Sequence, residues 1–268
     1  MKKAFLFLIL SSLVFGIFSC KKDEEVAKTI KIGLVTKVYK DNVIKSEFQY
    51  DASNRPVKML IYNANGLSDG YATYDFGSDT FVDKVNIYNE QGILTSYTTY
   101  LYDTLKRLSS KKYFQIQSSI PKLLYSETFL YNINNQLYNL SEFDSAGNVT
   151  YFQEQVYDTL DDPLEIKYFK SDNSFAGSLY FTYDTKPNAF AGYQKKLGTA
   201  DPYNKHNITK ITSSLTPVNG KVTFNLGNTS LIIALYTSSY QYDYNNLPIK
   251  ELRAYLSGIV ESESYEYK

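Results

Sequence analysis

Residues 74–114 read YDFGSDTFVDKVNIYNEQGILTSYTTYLYDTLKRLSSKKYF. Three pairs in this stretch, Tyr74-Asp75, Tyr88-Asn89 and Tyr102-Asp103, stand 14 residues apart. Each is followed by a short turn-like cluster and then a run rich in Tyr, Thr, Ile and Lys. The same punctuation recurs at Tyr50, Tyr62, Tyr131, Phe143, Tyr157, Tyr183 and Tyr242, usually 12 to 14 residues from its neighbour. One repeat is one strand and one turn.

The chemistry between the pairs agrees. Pro56, Pro163 and Pro248 lie six residues after Tyr50, Tyr157 and Tyr242, and Leu94, Leu108, Leu137 and Val149 hold the same offset elsewhere. Proline is acceptable at the first residue of a strand, where no ladder donor is required, so this offset predicts strand starts. Asn63-Ala64-Asn65-Gly66, Asn89-Glu90-Gln91-Gly92 and Asp144-Ser145-Ala146-Gly147 match type I turns whose following residue takes a positive φ. Each repeat then leaves about eight residues of strand, near 26 Å.

Phe48 and Tyr50, Tyr100 and Tyr102, Phe129 and Tyr131, Phe181 and Tyr183, Tyr240 and Tyr242, and Tyr265 and Tyr267 are two apart, which puts each pair on one face of its strand. The intervening Thr, Ser, Gln and Glu predict a largely polar opposite face. A sheet with one aromatic face must curl, pack on another layer or expose it. The predicted fold is all-β: a single long antiparallel meander of repeated hairpins, strongly curved to barrel-like. The pattern breaks near 187–207, predicting one irregular insertion there. Strands over Ile208–Leu215, Val222–Leu226 and Leu231–Tyr240 then follow, the apolar run Leu231–Leu235 being expected as buried strand.

Tyr is 27 residues and Phe 16, with no Trp, a balance that suits pleated surfaces. Lys plus Arg and Asp plus Glu number 28 each, so no basic footprint points to nucleic acid. Lys2, Lys3 and the apolar run Ala4–Phe18 form a secretory signal over residues 1–19, too short for a comfortable span. Cys20 is the only cysteine, which excludes a disulfide within the chain.

Ile17-Phe18-Ser19-Cys20 resembles a bacterial lipobox, with Phe18 where a small residue is usual. The resemblance implies that Cys20 is acylated, becomes the mature amino terminus and holds the protein to a membrane through its acyl chains. Lys21, Lys22, Asp23, Glu24 and Glu25 resemble the export signal of Bacteroidota lipoproteins, implying display on the outer membrane at the cell surface. A plain charged tether, with a periplasm-facing anchor, is the alternative. Residues 20–28 are thus expected as lipidated tether and 29–268 as the β-repeat domain.

Tyr50–Pro56 and Tyr102–Leu108 resemble the Tyr-Asp repeats of Rhs-type proteins, though the chain is far shorter than an Rhs shell. Tyr183-Asp184-Thr185-Lys186-Pro187-Asn188-Ala189-Phe190, Asn207-Ile208-Thr209-Lys210-Ile211 and Tyr242–Lys250 are together similar to a family of Bacteroidota lipoproteins of unknown function. That family is described as having a porin-like fold; the resemblance implies a curved sheet rather than a pore, and no catalytic residues.

His206, the single histidine, sits in a polar stretch and is expected to be a solvated loop residue. Asp158, Asp161 and Asp162, and Asp172-Asn173, lack the ligand spacing of a calcium loop and are expected to cap turns. The sequence offers no nucleophile elbow and no phosphate-cradling loop. The expectation is no enzyme, no cofactor and no metal. Instead it points to a lipid-anchored binding module for an unidentified glycan or protein partner, with a concave aromatic patch near Tyr183–Lys210; an envelope scaffold is the alternative.

Overall fold

The computed structural model describes residues 33–77, 81–190, 205–227 and 229–268, and every regular element in them is a strand. The strands are β1 (Val35–Lys40), β2 (Val43–Tyr50), β3 (Pro56–Tyr62), β4 (Ser68–Phe76), β5 (Val82–Tyr88), β6 (Leu94–Tyr102), β7 (Leu108–Gln117), β8 (Ile120–Tyr131) and β9 (Leu137–Asp144). They continue with β10 (Val149–Tyr157), β11 (Pro163–Lys170), β12 (Phe175–Pro187), β13 (His206–Ser213), β14 (Lys221–Asn225), β15 (Ser230–Ala234), β16 (Tyr236–Tyr242), β17 (Pro248–Tyr255) and β18 (Val260–Tyr267). Sixteen of them form a closed antiparallel barrel, in which β18 returns to β1. β14 and β15 make a separate two-stranded hairpin, so β13 pairs directly with β16.

The repeat has a mechanical explanation. In the turns that start at Asp51, Asn63, Asn89, Asp103, Asn132, Asp144, Asp158 and Asp243, the Asx side chain accepts hydrogen bonds from the backbone N–H groups two and four residues on. The residue three on takes positive φ: Gly66, Gly92 and Gly147, but also Asn54, Asn135, Asn246, Lys106 and Asp161. A register shift then opens each following strand at the predicted offset residue.

The repeat tyrosine locks the hairpin. Hydroxyls of Tyr50, Tyr102, Tyr131, Tyr183 and Tyr267 donate to the carbonyls of Val35, Val82, Leu108, Pro163 and Pro248, at 2.5–2.8 Å. In each case the acceptor is the first residue of the preceding strand, at one end of the barrel, termed the clasp end. Burial pushes the phenols of Tyr50, Tyr183 and Tyr267 up, which keeps them as donors. The chain enters β1 and leaves β18 at this same end, where Lys268 N–H donates to Leu34. The opposite, hairpin end carries β14–β15.

The aromatic stripe faces the lumen, packed in four clusters instead of one core. The outer wall departs from the expectation of a polar face: Tyr71 stacks on Tyr88, Tyr97 on Phe114 and Phe152 on Phe169. These rings share that wall with Glu47, Lys58, Lys84, Lys112, Glu154, Lys167 and Lys210, whose register partners place them opposite the lumen-facing residues. Basic residues on a lipid-facing barrel wall cost about 2–4 kcal/mol each near the bilayer midplane. Exposed Leu101, Leu130 and Val156 share the same wall.

The run Leu231–Tyr240 is not one strand. It divides at Leu235, whose N–H donates to Gly220 and whose carbonyl accepts from Leu256. β15 before it belongs to the hairpin and alternates in burial, Ile232 being 61% exposed. The buried part of the hairpin is instead Val222, Phe224 and Leu226.

Candidate functional site

Three places in the barrel gather polar or open structure. The first lies in the lumen, on β16, β17 and β18. Arg253 donates to both Glu251 and Glu263, with four contacts of 2.7–3.1 Å. Ser238, Tyr240 and Tyr265 hydroxyls also donate to Glu251, which is 2% exposed. Burial alone would raise the Glu251 carboxyl, but the Arg253 guanidinium and the hydroxyls outweigh it and hold it below the usual carboxylate range. Burial acts against the Arg253 cation too, yet the two glutamates keep it charged. Both carboxylates and the guanidinium are thus committed to each other. The cavity beside them, about 90 Å³ and lined by Asn188, Phe190, Asn207 and Tyr240, is far below the roughly 300 Å³ of an ordinary ligand pocket.

The second place is the seam at the clasp end where β12 and β13 meet the β10–β11 turn. His206 is not a solvated loop residue: its Nδ1 meets Oδ2 of Asp162, which is fully buried, and its N–H donates to the same carboxylate. Of the three aspartates expected to cap turns, Asp158 does so, Asp161 pairs with Lys205 at 2.6 Å, and Asp162 holds β13. Asp172 caps its turn through Ser174. Asn207, 2% exposed, donates to Asp184 and to the carbonyls of Lys186 and Pro187, while the Tyr242 hydroxyl meets Asp184. Phe190 turns into the barrel against Phe48 and Tyr265, at 6.5 and 5.9 Å. In its described residues, the stretch Tyr183–Lys210 is consequently a packed seam, its rings spent on internal contacts; residues 191–204 of it lie outside the described residues.

The third place, at the hairpin end, had no signal in the sequence. A groove of about 630 Å³ is lined by Leu215, Thr216, Val218 and Asn219, by Lys221, Thr223 and Ile232 of the β14–β15 hairpin, and by Ser257 and Ile259. A second hollow of about 260 Å³ adjoins it, lined by Lys40, Tyr255 and Glu261 among others. The Lys40 ammonium and the Tyr255 hydroxyl both reach Glu261, at 2.7 and 2.9 Å. The hairpin creates these hollows by docking. Phe224, with no exposed surface, packs 4.7 Å from the Tyr168 ring and against Gly177, where a Cβ would come within 2.8 Å of the Phe224 ring.

Among the described residues no three His, Cys, Asp or Glu side chains converge to hold a metal ion. Cys20 and Lys21–Glu25 lie outside the described residues.

No protein-family model and no curated protein sequence matches the chain. Solved structures do. A porin-like protein from Bacteroides uniformis aligns over 87% of this chain and 98% of its own, at 12% identity and a TM-score of 0.55. A porin-like protein from Bacteroides vulgatus aligns over 88% and 99%, at 11% identity and a TM-score of 0.38, a level too low to imply a shared fold. The first similarity is one of fold: this chain has the porin-like barrel architecture that the Tyr183–Lys250 resemblance implied.

Proposed function

We propose that the chain is a non-enzymatic, lipid-anchored protein of the outer cell envelope that binds an extended polypeptide in the groove at the hairpin end. The observation that carries this reading is the groove of about 630 Å³, an open hollow of ligand size. Its lining favours polypeptide over glycan. Leu215, Val218, Ile232 and Ile259 supply apolar walls, Thr216, Thr223, Asn219 and Lys221 supply polar groups, and among the described residues no aromatic ring lines it for a sugar to stack on. β14 also offers backbone. Gly220 and Leu226, which flank it, bond to Leu235 and Thr229 on the β15 side. Strand alternation then directs the N–H and C=O of Thr223 to the free edge, the kind of edge that peptides extend.

Support for the envelope address comes from the Cys20 motif and the porin-like fold; support for a non-enzymatic role comes from the mutual pairing of Glu251, Arg253 and Glu263. The full-length lipidated protein, presented to a random peptide library and to a polysaccharide panel, tests the reading. Saturable peptide binding that Ile232→Lys abolishes supports it. Polysaccharide binding indifferent to Ile232→Lys would overturn it, as would no saturable ligand in either set.

A further inference from the structure

We infer that the polypeptide held in the groove is bound by its carboxyl terminus, laid antiparallel on β14 with its terminal carboxylate on the Lys221 ammonium; this rests on the reading of the groove as a polypeptide site. The free edge of β14 is short. Thr223 is exposed and directs its N–H and C=O to that edge, where they bond to no group among the described residues. Two residues earlier the edge is closed. The Val218 N–H donates to the Lys221 carbonyl at 2.8 Å, and the Lys221 N–H donates to the Val218 carbonyl at 3.0 Å. Asn219 and Gly220 between them both take positive φ, as a two-residue type I′ turn requires. A strand laid against Thr223 therefore finds Val218 already opposite Lys221 and cannot extend along β14 past this point.

Charge sets which end of the chain meets that block. Lys221 lines both the groove and the adjoining hollow of about 260 Å³, as do Ser257 and Ile259. The other charged groups around the hollow are committed. Glu261 is held by the Lys40 ammonium at 2.7 Å and the Tyr255 hydroxyl at 2.9 Å, and Asp41, beside Lys40 in the chain, accepts from the N–H and hydroxyl of Ser262. The Lys221 ammonium has no ion pair or hydrogen bond among the described residues, which leaves one uncommitted cation between groove and hollow. β14 begins at Lys221, so an antiparallel partner brings its carboxyl end there. A parallel partner would bring an ammonium against an ammonium. Pairing of a carboxylate with an ammonium is stronger than a neutral hydrogen bond, and capture of a terminal carboxylate is a recurring mode of peptide recognition. The direction that the strand allows and the charge that Lys221 offers select the same chain end.

The full-length lipidated protein is presented with two random peptide libraries of the same composition, one ending in free carboxylates and the other in carboxamides. The acid library is expected to be retained saturably and the amide library at least about tenfold less, the loss of one hydrogen-bonded charged partner. Lys221→Met should bring the acid library down to the level of the amide library. Lys221→Arg, which keeps the charge, should preserve the difference; Lys221 is exposed, so neither replacement disturbs the core. Equal retention of the two libraries, both lost with Ile232→Lys, overturns the carboxyl terminus and leaves the polypeptide site standing. A preference for acids that Lys221→Met leaves unchanged overturns the assignment to Lys221. Retention of neither library overturns the polypeptide site, and the terminus falls with it.

Discussion

The regular wall from β2 to β11 and the irregular passage from β12 to β16 are held by different kinds of contact. In the wall, each device acts within one hairpin: an Asx cap over four residues, a positive φ at the third, and a tyrosine hydroxyl on the first carbonyl of the preceding strand. In the passage the decisive partners lie far apart in sequence. Phe224 meets Tyr168, His206 meets Asp162 44 residues away, and Tyr242 meets Asp184 58 residues away. A wall of many equivalent local devices tolerates the loss of one; a hairpin whose docking is concentrated in Val222, Phe224 and Leu226 is more exposed to the loss of its largest buried side chain.

The sharpest break of that contrast is Phe224→Ala. Removing a fully buried phenylalanine costs about 3–5 kcal/mol through lost burial and the cavity left behind, and here it frees the hairpin that walls the groove. Chemical denaturation should show that loss, and Ile232→Ala, at 61% exposure on the same hairpin, should stay within about 0.5 kcal/mol. A Phe224→Ala protein as stable as its parent would mean the hairpin is held by something other than its phenylalanine.

In the wall, Gly147→Ala is a smaller and cleaner probe. Gly147 has φ +87 and open space around its Cα, so an added methyl meets only the backbone preference, about 1–2 kcal/mol against the left-handed conformation. Thermal unfolding should fall by a few degrees, about 2–4 °C per kcal/mol for a chain of this class. Gly258→Ala, with φ +86 and the same open surroundings, should match it. Unequal losses would show that the turns are not interchangeable.

The same division decides what the sequence discloses. Pro56, Pro163, Pro248, Leu94, Leu108, Leu137 and Val149 were legible as strand starts because the turn chemistry before them is local, and each does open a strand. Gly66, Gly92 and Gly147 were legible as positive-φ residues for the same reason. Leu235 was not legible as a corner, since no Gly, Pro or Asn marks it and apolar periodicity does not report which sheet a strand joins. The partner of His206 was hidden by sequence distance. So was the groove, whose lining segments Leu215–Asn219 and Ser257–Ile259 lie far apart in the chain. The outer rings Tyr71, Tyr88, Tyr97 and Phe114 escape the two-apart pattern because they find their partners across neighbouring strands instead of along one.

The smallest expected effect separates the turns by their capping residue. The Asn148 amide and the turn N–H groups hold the Asp144 carboxyl below its usual range, and Ser174 does the same for Asp172. A carboxyl depressed in the folded state contributes stability that is present above its unfolded value, about 3.9, and is lost as pH falls through the lower folded value. Asn63, Asn89 and Asn132 make the same two hydrogen bonds with an amide oxygen that does not titrate in this range. Asp144→Asn with Asp172→Asn should therefore fold as before at neutral pH and lose less stability than the parent between about pH 4 and 2. Melting temperatures across that window check it. Parallel curves for parent and double variant would place the acid sensitivity elsewhere, in other carboxyls held below their usual range, among them Asp51, Asp103 and Glu251.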